Sequence, residues 1–224
     1  MGAGTAGGFR MTTTSILRGS RLFFAMLTFA AVAWQWIDGL DNPGFSTANF
    51  FSFFTIQSNL LAATLLLLLA TRWHHRRPSF VPMLRGAAVA YMTTTGIVYA
   101  LLLSGHTEEL GTVIPWVNTV VHQVMPIVML IDWLIEQPRH RLEVRRCLVW
   151  MVYPLAFLVY SLIRGPMVDW YPYPFLDPAQ SGGYPGVAAY AVGIALAFTG
   201  FVWVVVTLGN RQWWVMPYKE LETP

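Results

Sequence analysis

Asn49-Phe-Phe-Ser-Phe-Phe-Thr-Ile-Gln-Ser-Asn-Leu-Leu61, continuing almost wholly in Leu and Ala to Ala70, is one of about six apolar runs in this chain. Each has roughly the 20 residues that an α-helix needs to cross about 30 Å of hydrocarbon. The runs fall at approximately 22–40, 48–71, 84–104, 112–134, 147–164 and 186–208. Of 224 residues, 55% are hydrophobic and 11% charged, and no segment between runs is long enough for a core of its own, which excludes a soluble enzyme domain. The expectation is an all-α polytopic membrane protein, a six-transmembrane-helix bundle over residues 17–210. A Gly- and Thr-rich amino terminus (1–16) is expected to be disordered, and residues 211–224 to form a cytoplasmic tail.

The formal net charge of +3 reports topology. Of the 14 Lys and Arg, all but Arg164 fall on the side of the bundle that holds both termini, while Asp41, Glu108, Glu109, Asp169 and Asp177 lie in loops on the other side. Basic residues accumulate in cytoplasmic loops, so both termini are expected inside, and nucleic acid is set aside as a partner. Arg18 and Arg21 before the first run, with Ala31-Val32-Ala33 within it, imitate a cleavable signal. Apolar residues continue through Trp34, Trp36 and Ile37, however, and cleavage would leave five spans, so a retained helix is expected. The single cysteine, Cys147, offers neither a disulfide nor a Cys-based metal site. No internal repeat suggests an inverted-repeat transporter.

Polar side chains are costly in hydrocarbon, so those within the spans carry the most information. At 100° per residue, Ser52, Thr55, Ser58 and Asn59 fall on one face of the second span, all at its external end. His122 is the only histidine inside a span, with Asn118 one turn before it and Gln123 beside it. If the second and fourth spans start near Thr47 and Thr112, Thr55 lies about 12 Å deep and His122 about 15 Å, so a hydroxyl and an imidazole meet in depth if the helices are neighbours. Such a pair suits nucleophilic acyl transfer, with His122 as base and Gln57, Asn59 or Asn118 donating to the oxyanion. Ser58 is the fallback nucleophile. Asp132, about 15 Å further along the helix, cannot complete a triad and reads as a partner for the Arg-rich inner loops.

Each feature has a plainer reading. Ser, Thr and Asn also glue helices together, and a lone His is often satisfied by a neighbour or, with a second axial group, ligates haem. Tyr91, Thr95 and Tyr99 line a cavity or pack. Arg164 anchors a substrate carboxylate or snorkels towards Asp169. The loop Asp169-Trp-Tyr-Pro-Tyr-Pro-Phe-Leu-Asp-Pro178 is a lid or an interfacial aromatic belt.

Three features coincide: Phe-Phe-Thr55, Asn118-x-x-x-His122 with Pro126 after it, and Tyr173-Pro-Phe-Leu-Asp177 before the last span. In these the chain resembles the androgen-induced and androgen-dependent, tissue-factor-pathway-inhibitor-regulating family of six-span membrane threonine hydrolases, which has bacterial relatives. The resemblance implies cleavage of fatty-acid esters of hydroxy fatty acids (FAHFA), with Thr55 as nucleophile and His122 as base, in a bacterial plasma membrane. Neither metal nor organic cofactor is implied; the partners are a lipid ester substrate and membrane lipids. Two departures stand out: Thr55 is followed by the more polar Ile-Gln-Ser-Asn, and the interval from His122 to Pro126 is shorter by one. The rival function is a non-catalytic lipid-binding or transport protein, in which the same groups line a cavity or a proton path. Transport calls for polar groups through both halves of the membrane, and the second span is Leu-rich from Leu60 to Leu69.

Overall fold

The structure, a computed structural model, describes residues 5–71, 79–105, 114–138 and 140–211. The loop residues Arg72, Arg76, Arg77, Glu108, Glu109 and Arg139, and nearly all of the expected tail, lie outside the described residues. Those described are helical with short connections, and no strand occurs among them.

Among the described residues, five helical segments are long and apolar enough to cross a membrane: Ser15–Leu40, Val81–Leu103, Pro115–Ile135, Val144–Val168 and Gly183–Asn210. The first is the greater part of α1 (Thr5–Leu40), whose backbone reaches back into the segment that composition marks as disordered. The second span expected from sequence is instead a broken pair, α2 (Thr47–Phe51) and α3 (Phe54–Ala70). The 17 residues of α3 extend about 25 Å, short of a full crossing without α2. Next come α4 (Val81–Val98), closing in a π-helical turn at Tyr99–Leu103, and α5 (Pro115–Thr119), which passes through a second π-helical turn, Val120–Val124, into α6 (Met125–Ile135). Then α7 (Val144–Cys147) leads through a tight turn into α8 (Val152–Val168), and α9 (Gly183–Asn210) ends the bundle.

The centre belongs to α4, which packs on α3, α6 and α9, while α1 lies against α3. Its small residues let neighbours approach closely: Gly86-Ala-Ala-Val-Ala90 is buried throughout, and a Cβ at Gly86 would overlap the Trp150 ring. Apolar side chains such as Val159 and Ile163 on α8 and Leu196 and Trp203 on α9 remain exposed, as a lipid solvent permits.

At the arginine-rich end, a buried ionic cluster ties α1, α4 and α6 together. Arg21 Nε and Nη2 donate to Asp132 Oδ1 and Glu136 Oε2, each at 2.5 Å. Arg85 donates to Asp132 Oδ2 (2.7 Å) and to the main-chain oxygens of Asp132 and Glu136, with its guanidinium 5.5 Å from the Trp133 ring centroid. Asp132 is therefore paired with arginines of two helices, and not with inner-loop arginines as its interfacial position suggests. Its helix turns it inward, onto the same face as Met125 and Met129.

A proline fixes how α8 meets α4. Pro154 lacks the N–H that would bond the Trp150 carbonyl four residues back, and Tyr91 Oη donates to that oxygen instead (2.9 Å).

Candidate functional site

The break in the second span decides where Thr55 lies. Ser52 closes α2, its Oγ 2.6 Å from the Ala48 carbonyl and 2.7 Å from Tyr160 Oη. Phe53 is extended (φ −72°, ψ 132°), which sends the two flanking rings apart. Phe53 packs on Trp170 and Tyr173 (centroids 5.3 and 5.7 Å), and Phe54 on Tyr153 and Phe157 inside the bundle (both 5.3 Å). Thr55 is thus the second residue of α3, in the turn whose N–H groups have no intrahelical acceptor. Its N–H donates to Tyr173 Oη (3.2 Å), and its hydroxyl lies 3.3 Å from the same oxygen.

His122 occupies the π-helical turn, a distortion common at functional sites. Nδ1 faces two oxygens, Asn118 Oδ1 at 2.7 Å and the Asn118 carbonyl at 3.2 Å. A carbonyl only accepts, so Nδ1 carries the proton and Nε2 keeps its lone pair. Asn118 Nδ2 donates to Tyr99 Oη (2.6 Å), and the Tyr99 ring stacks on the imidazole at 4.0 Å. Pro126 shapes the other side of the turn. In π-helical register its missing N–H leaves the Val121 carbonyl without a helical donor. Asn59 Nδ2 supplies one at 3.0 Å while also donating to the Thr55 carbonyl (2.9 Å), so one amide joins the Thr55 helix to the His122 turn. On α4, Gly96 makes room: a Cβ there would stand 3.1 Å from Pro126 and 3.3 Å from the His122 carbonyl oxygen.

Thr55 and His122 line one cavity of about 300 Å³ at the end of the bundle where α1 finishes and α3 begins. Its lining includes Gln35, Asp38, Asn42 and Asn49 together with Trp170 and Tyr173. Thr55 also borders a second, smaller cavity of about 100 Å³, with Phe54, Phe157, Phe175 and Phe198 in its wall. The loop after α8 contributes to the walls of both, through Trp170 and Tyr173 in the first and Tyr173, Phe175 and Leu176 in the second. Asp169 takes the left-handed conformation (φ 49°), tolerated by Asp, and reverses the chain; Tyr171 then packs on Gly165, where a Cβ would collide with its ring. Tyr173 is buried and stacks on Phe175 at 5.2 Å. Burial pushes its phenol above the usual value, against a smaller opposing pull from hydrogen bonds with Thr55, so Tyr173 stays protonated and able to donate.

The expected polar stripe is divided. Ser52 belongs to α2 and turns to Tyr160, because the extended Phe53 interrupts the helical period. Ser58 Oγ lies 3.1 Å from both the Thr55 carbonyl and Thr95 Oγ1 and does not reach the cavity with His122. Gln57 points to α8, accepting from Tyr153 Oη and donating to the Phe51 carbonyl (2.9 Å). Asn118 has both amide atoms engaged, on His122 and Tyr99. Arg164 Nη2 donates to Asn49 Oδ1 (2.5 Å) and its guanidinium lies 5.3 Å over Trp170, partners that both line the cavity; Asp169 is not among them. Thr95 and Tyr99 do meet the site, the first through Ser58 and the second through His122, whereas Tyr91 packs and bonds Trp150. The loop's Tyr173 is the member that sequence reasoning missed as a site residue: nothing in its spacing ties it to Thr55, 118 positions away.

No group of three or more His, Cys, Asp or Glu placed to hold a metal ion occurs among the described residues. Compared with protein-family models, with curated proteins and with solved structures, the chain matches none of them.

Proposed function

We propose that the chain is an intramembrane hydrolase of lipid esters, with Thr55 as nucleophile and His122 as general base. The observation carrying this reading is that both side chains line one cavity while Nδ1 of His122 is held by Asn118, which leaves Nε2 free to accept a proton. An asparagine that orients the histidine is a known variant of the catalytic triad and needs no carboxylate. Thr55 Oγ1 attacks the ester carbonyl as its proton passes to Nε2. The carbon–oxygen bond to the alcohol then breaks, and His122 returns the proton to the leaving alkoxide. Water, deprotonated by His122, attacks the acyl-threonine; the carboxylic acid departs and Thr55 regains its proton. The oxyanion formed in each half is met by the Thr55 N–H and the Tyr173 hydroxyl, which lie within hydrogen-bond distance of each other.

The resemblance to the threonine hydrolases supports the same pair and makes fatty-acid esters of hydroxy fatty acids the first substrates to try, with Arg164 beside the cavity mouth to receive a free carboxylate. We take α2 and α3 together as the sixth crossing, both termini as cytoplasmic and the site as facing out of a bacterial plasma membrane, on the arginine asymmetry. Transport is less well supported: between His122 and the ionic cluster the inward face of α6 is Met125 and Met129, both buried.

The test is ester turnover by purified protein. Thr55→Ala should abolish it and His122→Ala should lower it by about 10²- to 10⁴-fold, while Ser58→Ala retains it. Undiminished turnover in Thr55→Ala would sink the nucleophile.

A further inference from the structure

The two cavities that meet at Thr55 differ in chemistry. The cavity shared with His122 is rimmed by carboxylate and amide groups. The other is apolar, and its threonines offer it methyl groups: Thr94 Oγ1 is spent on the Ala90 carbonyl (2.8 Å), and Thr95 Oγ1 is paired with Ser58 Oγ. The polar atoms left at its inner end are the hydroxyls of Thr55 and Tyr173. A groove adjoins this cavity. Thr94, Val98 and Ile194 line both this cavity and a groove of about 370 Å³ between α4 and α9, whose remaining wall includes Leu101, Gly193 and Phe201. Leu101 is 76% exposed on the surface that faces lipid. Along α9 the groove runs from Ala189 to Phe201, about 18 Å at 1.5 Å per residue.

We infer that this passage is the acyl-chain site: the fatty-acyl half of the ester threads from Thr55 past Ile194 and out between α4 and α9 into the bilayer, while the alcohol half occupies the polar cavity beside His122. This rests on the hydrolytic reading of Thr55. The occupant is a single unbranched chain, because the inner cavity holds only about 100 Å³ between aromatic side chains, too little for a fused ring system. An open outer end also means that the site sets no upper limit on chain length. Discrimination falls instead where Thr94, Val98 and Ile194 line both spaces, which a short acyl group never reaches.

The experiment compares acetate, octanoate and palmitate esters of one alcohol with full-length protein in lipid nanodiscs. Ile194→Trp places a large ring between the cavity and the groove, both of which Ile194 lines. Gly193→Phe fills the groove from a position where an added Cβ meets nothing within 4 Å, so it serves if Ile194→Trp folds poorly. Either variant should lower palmitate turnover at least tenfold relative to acetate, and Leu196→Trp, on the lipid-facing side of α9, should change neither. Equal losses for all three esters, or none, would overturn the acyl site and leave Thr55 and His122 untouched. Should the wild type hydrolyse none of the three, the reaction itself fails, and the site is judged by photolabelling with a diazirine analogue of palmitate. Labels on α4 and α9 residues of the passage, displaced by palmitate and lost in Ile194→Trp, support it; labels elsewhere, or none, dismiss it.

Discussion

In the proposed reaction, Thr55 and His122 are ordinary side chains made into a reactive pair by a few neighbours. Asn118 holds the imidazole in one tautomer and is itself held by Tyr99, so a positioning residue and its support can be separated by experiment. Asn118→Ala should lower kcat by up to about a hundredfold with KM little changed, since a displaced base still lies in a cavity that binds substrate normally. Asn118→Asp should recover part of the loss by offering an oxygen at the same place, a rescue that a merely structural role would not give. Tyr173→Phe should cost about 10²- to 10³-fold in kcat if its hydroxyl meets the oxyanion, measured against the unchanged fold of the variant. Of these residues, Thr55, His122 and Asn118 stand out in the sequence because polar groups are rare in spans. Tyr173 does not, because it sits in a Pro- and aromatic-rich loop where tyrosine is commonplace.

The helices show which signals a sequence carries and which it hides. Apolar length marks every crossing segment, and the runs read from sequence overlap each described helix of membrane length. The gap between α2 and α3 leaves no trace of that kind, because Ser52–Phe53 contains neither Gly nor Pro; what opens it is the pull of Phe53 towards Trp170 and Tyr173 and of Phe54 towards the bundle. Pro126 is visible in the sequence, yet the answer to it, Asn59, lies on another helix 67 positions away. That pairing makes a prediction about coupling. Asn59→Ala should destabilise the protein by about 1–3 kcal/mol by stranding the Val121 carbonyl. In a Pro126→Ala background the helix regains its own N–H for that oxygen, so the same substitution should cost measurably less, a non-additivity that thermal unfolding of the four proteins would detect. Equal costs in both backgrounds would count against the shared carbonyl.

Across the whole molecule, the candidate site and the ionic cohesion sit at opposite ends. The cavity occupies the end where α1 finishes, and the Arg21–Asp132–Arg85–Glu136 cluster holds the other. Removing one member of a buried ionic set leaves the rest uncompensated, so Asp132→Ala should lower stability by about 3–5 kcal/mol, while turnover per folded molecule stays near the wild-type value. Loss of turnover in the folded fraction would instead connect the two ends. The buried pair Met125 and Met129 between them has a further consequence. Hydrolysing an ester at neutral pH releases one proton for each acid made. In the proposed hydrolysis, with apolar side chains filling that face of α6, the water consumed is drawn from the compartment on the cavity's side and the proton is first delivered there, so a vesicle carrying the protein in one orientation would show its initial acidification on that side.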